Sequence, residues 1–179
     1  MKTYGAKKTR LPELTTGPSM EDSVEKKPSR FWVWVFTNID GLLWVLEHNA
    51  MAFPSEARSR AASIGRGDQA ILYLSAAAFG DAIGISSRLV GIVRVSTQAP
   101  ERRPVRIGKR NYTWAVDFKK EFILEEMDGP PVKGLVHKLE LVKQPENWGQ
   151  YFRGSPIEIP EGDFRLMEQA IKGWTTGPR

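Results

Sequence analysis

Ile64-Gly65-Arg66-Gly67-Asp68-Gln69-Ala70-Ile71-Leu72-Tyr73-Leu74-Ser75 is the stretch from which the fold can be read. Gly67-Asp68 has turn chemistry, and Gln69–Ser75 then runs apolar for too few residues to be a buried helix, so it predicts a core strand. Two segments of similar character flank it in the chain. Upstream, Phe31-Trp32-Val33-Trp34-Val35-Phe36-Thr37 is aromatic and β-branched throughout, which predicts a strand buried on both faces and assigns Trp32 and Trp34 to packing. Downstream, Arg88–Ser96 predicts another strand, and Gly91 inside it predicts a bulge or a close backbone approach.

Working outward, Asn38-Ile39-Asp40-Gly41 reads as a turn with Asx and Gly chemistry, and Leu42–Leu46 is too short to assign by periodicity. Ser55–Ala62 predicts a helix stopped by Gly65, and 76–87 an irregular segment. Pro100–Pro104 reads as a loop. Asn111–Leu124 alternates Trp114, Val116 and Phe118 with more polar residues, as a half-solvated strand does. Val132–Val142 suggests a short helix interrupted at Gly134, and Ile157–Ile159 a last short strand. Phe164, Met167, Ala170, Ile171 and Trp174 recur at helical spacing behind Pro160 and the acidic Glu161 and Asp163, and Trp148 and Trp174 are assigned to packing. Strands and helices without a βαβ rhythm, and without an internal repeat, predict an α+β domain with a small curled sheet or barrel.

The 179 residues suit one domain with a core of its own, and 41% hydrophobic content is that of a globular chain. The absence of cysteine excludes disulfides, thiolate metal sites and a cysteine nucleophile, and His48 and His137 are too few for a multi-histidine centre. No metal or other cofactor is expected. Nothing in the chain reads as a membrane span or a signal peptide, so the expected location is cytoplasmic.

The net charge of +5 is unevenly spread. Residues 1–30 carry seven Lys/Arg against four Asp/Glu with almost no apolar content, which predicts a mobile basic tail over 1–29. A folded domain is expected over 30–173 and a short C-terminal tail over 174–179. Between Arg88 and Arg110 lie Arg88, Arg94, Arg102, Arg103, Arg106, Lys109 and Arg110 against Glu101 alone. A solvated loop is one reading of that run. Its arginine richness favours the other, a contact for phosphate oxygens.

Motifs for catalysis are missing. Gly65-Arg66-Gly67 is too short for a dinucleotide fingerprint, and Gly84-Ile85-Ser86-Ser87-Arg88 lacks the second glycine of a nucleophile elbow. The expectation is a protein that binds without turnover.

The order of segments resembles the EVE domain, a relative of YTH and PUA-like folds, over roughly residues 31–172. The resemblance rests on Phe36-Thr37-Asn38 ending the first strand, Ala52-Phe53 before an Ala/Arg-rich helix, and the Ile64–Ser75 stretch. It continues with Val-Gly-Ile-Val-Arg-Val at 90–95, Trp114, Asn147-Trp148-Gly149, Phe152-Arg153-Gly154 and Asp163-Phe164. It implies a PUA-like twisted β-barrel of five to six strands flanked by two to three helices, with an aromatic pocket that reads a methylated or flipped base. By position, Phe53 and Trp114 correspond to pocket walls, Thr37 and Asn38 to polar readers of the base edge, and Tyr73 and Ser75 to the floor. Many relatives place a tryptophan where this chain has Phe53. Arg88, Arg102, Arg103, Arg106, Lys109 and Arg110 would then hold the nucleic-acid backbone. Modified DNA is favoured over RNA, with a separate effector protein such as a nuclease as a further partner. A general RNA-binding PUA-like module is the alternative. ASCH enzymes share the superfamily, but their Gly-x-Lys-x-x-Glu-x-Arg signature does not occur here.

Overall fold

The computed structural model describes residues 29–80 and 85–174; all but the last residue of the predicted basic tail, and most of the C-terminal tail, lie outside the described residues. Among the described residues seven strands form one curled sheet: β1 Phe31–Phe36, β2 Ala50–Phe53, β3 Gln69–Leu74, β4 Arg88–Val95, β5 Glu101–Ile107, β6 Arg110–Ile123 and β7 Ile157–Ile159. The path runs β2-β6-β4-β3-β1-β7, with β5 paired to β6. The fold is α+β, as expected, with more strands than the five or six anticipated.

The centre follows from the apolar runs. β1 pairs parallel with β3, Phe31 opposite Gln69 through Phe36 opposite Leu74, and β3 pairs antiparallel with β4. Strands that are buried on both faces divide the interior in two. Trp32, Trp34, Phe36, Leu72, Leu74, Phe53 and Val116 pack on one side, and Val33, Ile71, Tyr73, Phe152, Phe164 and Met167 on the other. α3, Glu161–Trp174, covers the second side with Phe164, Met167 and Ile171. Trp174 ends that helix 42% exposed, so the packing role expected of it is not met.

The Gly67-Asp68 turn is a structural knot. The buried Asp68 carboxylate accepts hydrogen bonds from Arg30 N, Trp32 Nε1 and Gly65 N, each at 3.0 Å. It thereby ties the start of β1 to the start of β3. Gly91 meets both expectations: the β3–β4 register shifts beside it, Leu72 facing Gly91 and Tyr73 facing Leu89, and a Cβ there would lie 2.6 Å from Ile123 Cδ1 and 2.9 Å from Phe122 O.

Several local expectations are corrected. Asn38–Gly41 is not a free turn but the opening of α1, Ile39–His48, with Asn38 as its N-cap. Asn38 Oδ1 accepts from Gly41 N at 2.6 Å, and Gly41, Leu42 and Val45 bury one helical stripe. The proposed loop at Pro100–Pro104 belongs to β5. That strand has no apolar period of its own and forms by pairing with β6; the ladder skips between Arg102 and Val105, where Pro104 offers no N–H. The helix expected over 55–62 is a 3-10 turn, Ser55–Ala57, leading into α2, Arg58–Ala61. The segment 132–142 holds only two 3-10 turns, Val132–Gly134 and Val136–Lys138, in place of one helix.

Candidate functional site

The ends of β1 and β2, the start of α1, the β5–β6 hairpin and the Gly154-Ser155 loop converge on a cavity of about 300 Å³. Its apolar wall includes Phe36, Val45, Met51, Phe53 and Ile107, and Tyr112 stands half-buried on the hairpin side. Thr37, Asn38, Glu56, Arg60, Arg110 and Ser155 supply the polar part.

Each wall has a local cause. β1 stops where Asn38 caps α1, which leaves Thr37 and Asn38 at the junction; the Thr37 hydroxyl has no hydrogen-bond partner among the described residues. Ser155 Oγ accepts from Val35 N at 3.2 Å, which holds the 154–155 loop against the end of β1. Gly154 has φ +78°, and a Cβ on it would lie 3.0 Å from Arg60 Nη1, so glycine both supplies the left-handed backbone and lets the Arg60 side chain pass. Tyr112 reaches the cavity because it shares a strand face with Val116 and Phe118, two and three alternations further along β6.

The cations between residues 88 and 110 divide into two groups. Arg103 holds Asp117 through two hydrogen bonds, Nη1 to Oδ1 at 2.5 Å and Nη2 to Oδ2 at 3.0 Å, and Glu101 at 3.3 Å. The hydrogen bond from Arg103, reinforced by its charge, keeps the Asp117 carboxyl below its ordinary value, and Asp117 raises Arg103 in return. Arg88 pairs with Asp128 at 3.1 Å and Arg94 with Glu121. Arg102, Arg106, Lys109 and Arg110 have no carboxylate partner among the described residues; the Arg106 side chain reaches only the Gly108 carbonyl, at 3.3 Å. All four are exposed on the β5–β6 hairpin, which turns at Gly108.

The structure brings together part of the set expected from sequence. Thr37, Asn38 and Phe53 line the cavity, and Arg110 lies at the same place. Phe53 is fully buried, edge-on to Trp34 at 6.1 Å. Trp114 sits opposite Phe53 in the β2–β6 ladder but is not on the cavity wall; Arg58 lies over its ring at 4.9 Å. Tyr73 is on the far side of the sheet, stacked on Phe152 at 4.9 Å, and burial raises its phenol above the ordinary value while a hydrogen bond with Ser87 opposes the shift. Ser75 donates its backbone N–H to Phe36 O, next to the cavity, and its Oγ is buried without a partner among the described residues. Sequence reasoning missed Met51, Glu56, Arg60, Ile107 and Tyr112. For Tyr112 the signal was available: the alternation that singles out Trp114 places residue 112 on the same face.

No family model matches the chain. Among curated proteins, the UPF0310 protein msl3206 of Mesorhizobium japonicum is 26% identical over 110 residues, spanning 59% of this chain and 67% of that protein. Among solved structures, the YTH domain of Zygosaccharomyces rouxii MRB1, in complex with N6-methyladenosine RNA, is similar at a TM-score of 0.52 and 15% identity, covering 79% of this chain and 86% of the other. Rpa0253 from Rhodopseudomonas palustris is similar at a TM-score of 0.50 and 16% identity, covering 80% and 93%. At these identities the likeness establishes the fold, which is YTH-like. Among the described residues no helix is long and apolar enough to cross a membrane.

Proposed function

We propose that this chain is a nucleic-acid-binding module that takes one unstacked base, modified bases included, into the cavity beside α1. The observation that carries this reading is the cavity itself: about 300 Å³, lined by apolar and aromatic side chains together with Thr37, Asn38, Glu56 and Ser155, with Arg60 and Arg110 among its lining residues. That volume stands at the small end of ligand pockets and suits a single planar group. A base out of its stack needs an aromatic or apolar surface for its face and fixed donors and acceptors for its edge. Tyr112 and the Phe36–Phe53 wall serve the first need, Thr37 and Asn38 the second. The exposed hairpin cations next to Arg110 would be available to a phosphodiester chain leaving the cavity.

Binding, not turnover, is the role these residues support, because Glu56 is the sole carboxylate and no histidine or lysine is among the lining residues. The solved YTH domain bound to N6-methyladenosine RNA makes methylated adenine in single-stranded RNA the first ligand to try, with the same base in DNA as the parallel arm. Stacking on an aromatic ring contributes about 1–3 kcal/mol per base. One buried methyl adds roughly 0.8 kcal/mol, about fourfold in affinity.

Fluorescence anisotropy with short single-stranded RNA and DNA tests the reading, the central position carrying adenine, N6-methyladenine or no base. The expected order is methylated over unmodified over abasic, and Tyr112→Ala should cost about tenfold on the base-bearing strands. Equal affinity for the abasic strand, indifferent to Tyr112→Ala, would leave only a general backbone binder.

A further inference from the structure

Glu56 lines the cavity, and so does Arg60 four residues later. On a helical turn that spacing normally brings a carboxylate and a guanidinium together. Here they do not pair. Glu56 Oε2 accepts only from its neighbour, the Ser55 hydroxyl, at 3.2 Å, and Oε1 has no hydrogen-bond partner among the described residues.

The other polar groups on the wall have different characters. Arg60 and Arg110 can only donate. Asn38 has its Oδ1 occupied by Gly41 N, which leaves its amide N–H groups, and Ser155 Oγ already accepts from Val35 N. Glu56 is thus the one side chain on the wall that can only accept; the hydroxyls of Thr37 and Tyr112 can accept but can equally donate.

A side chain that can only accept constrains which base edge fits beside it. Adenine, cytosine and guanine carry an exocyclic amine, and a carboxylate accepts well from such an amine. Uracil and thymine present two carbonyl oxygens flanking their single ring N–H, and these repel an approaching carboxylate. Methylation of an exocyclic amine once leaves one N–H to donate; methylation twice leaves none.

Building on the base-binding reading above, we propose that Glu56 makes the cavity selective for a base whose exocyclic amine retains at least one N–H. Adenine and N6-methyladenine bind in preference to N6,N6-dimethyladenine and uracil. A hydrogen bond to a charged acceptor at a partly solvated site is worth about tenfold, towards the lower end of the range for charged partners.

The experiment measures binding of strands centred on adenine, N6-methyladenine, N6,N6-dimethyladenine, uracil and an abasic site. It compares the unaltered chain with Glu56→Gln, Glu56→Ala and Tyr112→Ala. Glu56 is exposed, so neither substitution at 56 threatens the fold. The unaltered chain should prefer the monomethyl over the dimethyl base, and adenine over uracil, by about tenfold. Glu56→Gln, whose amide can also donate, should shrink the adenine–uracil preference to about threefold or less, and Glu56→Ala should do the same for mono- over dimethyl. Preferences that survive both substitutions would assign the selectivity to shape and overturn the role of Glu56, while a continued loss on Tyr112→Ala would leave base binding standing. If the abasic strand binds as well as all others and Tyr112→Ala changes nothing, base binding and the selectivity fall together.

Discussion

The division of arginines into paired and unpaired makes a quantitative prediction about salt. A cation already satisfied by a carboxylate has little to gain from a phosphate, whereas an unpaired one releases a counterion when it binds. On single strands each phosphate contact contributes about −0.7 to the slope of log K against log salt. Arg102, Arg106, Lys109 and Arg110, each on one phosphate, give a slope of about −2.8, or roughly a fiftyfold loss of affinity between 50 and 200 mM salt. Arg102→Gln with Arg106→Gln should flatten the slope by about 1.4. The equally basic Arg88 and Arg103, held by Asp128 and Asp117, are predicted to contribute almost nothing to it. Arg88→Gln with Arg103→Gln should therefore lower affinity little and leave the slope where it was. Anisotropy titrations of one oligonucleotide at four or more salt concentrations measure both slopes. Equal flattening by the two double variants would show that ion pairing in the free protein does not decide which arginines meet the backbone, and the reasoning would fail.

Two further predictions concern stability. Asp68→Ala removes the acceptor for three hydrogen bonds at a buried position, each orphaned donor costing about 1–3 kcal/mol, so a total loss near 3 kcal/mol or more is expected in urea denaturation. A change below about 1 kcal/mol would mean that water replaces the carboxylate, as at an ordinary surface aspartate. The Asp117–Arg103 pair concerns pH. Because the Asp117 carboxyl is held below its unfolded value, its contribution is present above the ordinary carboxylate range and is lost as pH falls through the lower folded value. Arg103→Gln should remove that part of the acid sensitivity in thermal melts between about pH 5 and pH 2. An unchanged acid limb would show the pair to be energetically silent, as many surface pairs are.

The centre of this fold was legible in the sequence because its physics is local. β1, β3 and β4 are apolar runs, and a strand buried on both faces announces itself in its own residues. The Gly67-Asp68 turn was legible for the same reason. β5 was not, because Glu101-Arg102-Arg103-Pro104-Val105-Arg106-Ile107 becomes a strand only through its partner β6. α1 was hidden by its cap: Asn38 followed by Asp40 and Gly41 carries turn chemistry, and only the burial of Gly41, Leu42 and Val45 shows the helix. At the candidate site, Thr37, Asn38 and Phe53 came from the resemblance in segment order and do line the cavity, while Met51, Glu56 and Arg60 belong to it through shape. The resemblance and the alternation of the strand pointed to Trp114; the cavity takes Tyr112, one alternation earlier on the same face.

The cavity's walls come from residues near 37, 53, 110 and 155, so almost the whole length of the described chain must be in place before it closes. Contacts this far apart in sequence are late and slow to form. A nascent chain emerging from the ribosome presents the basic hairpin before Ser155 fixes the last wall. An occupant of the finished cavity, by contrast, binds only the completed fold and so stabilises the domain as a whole.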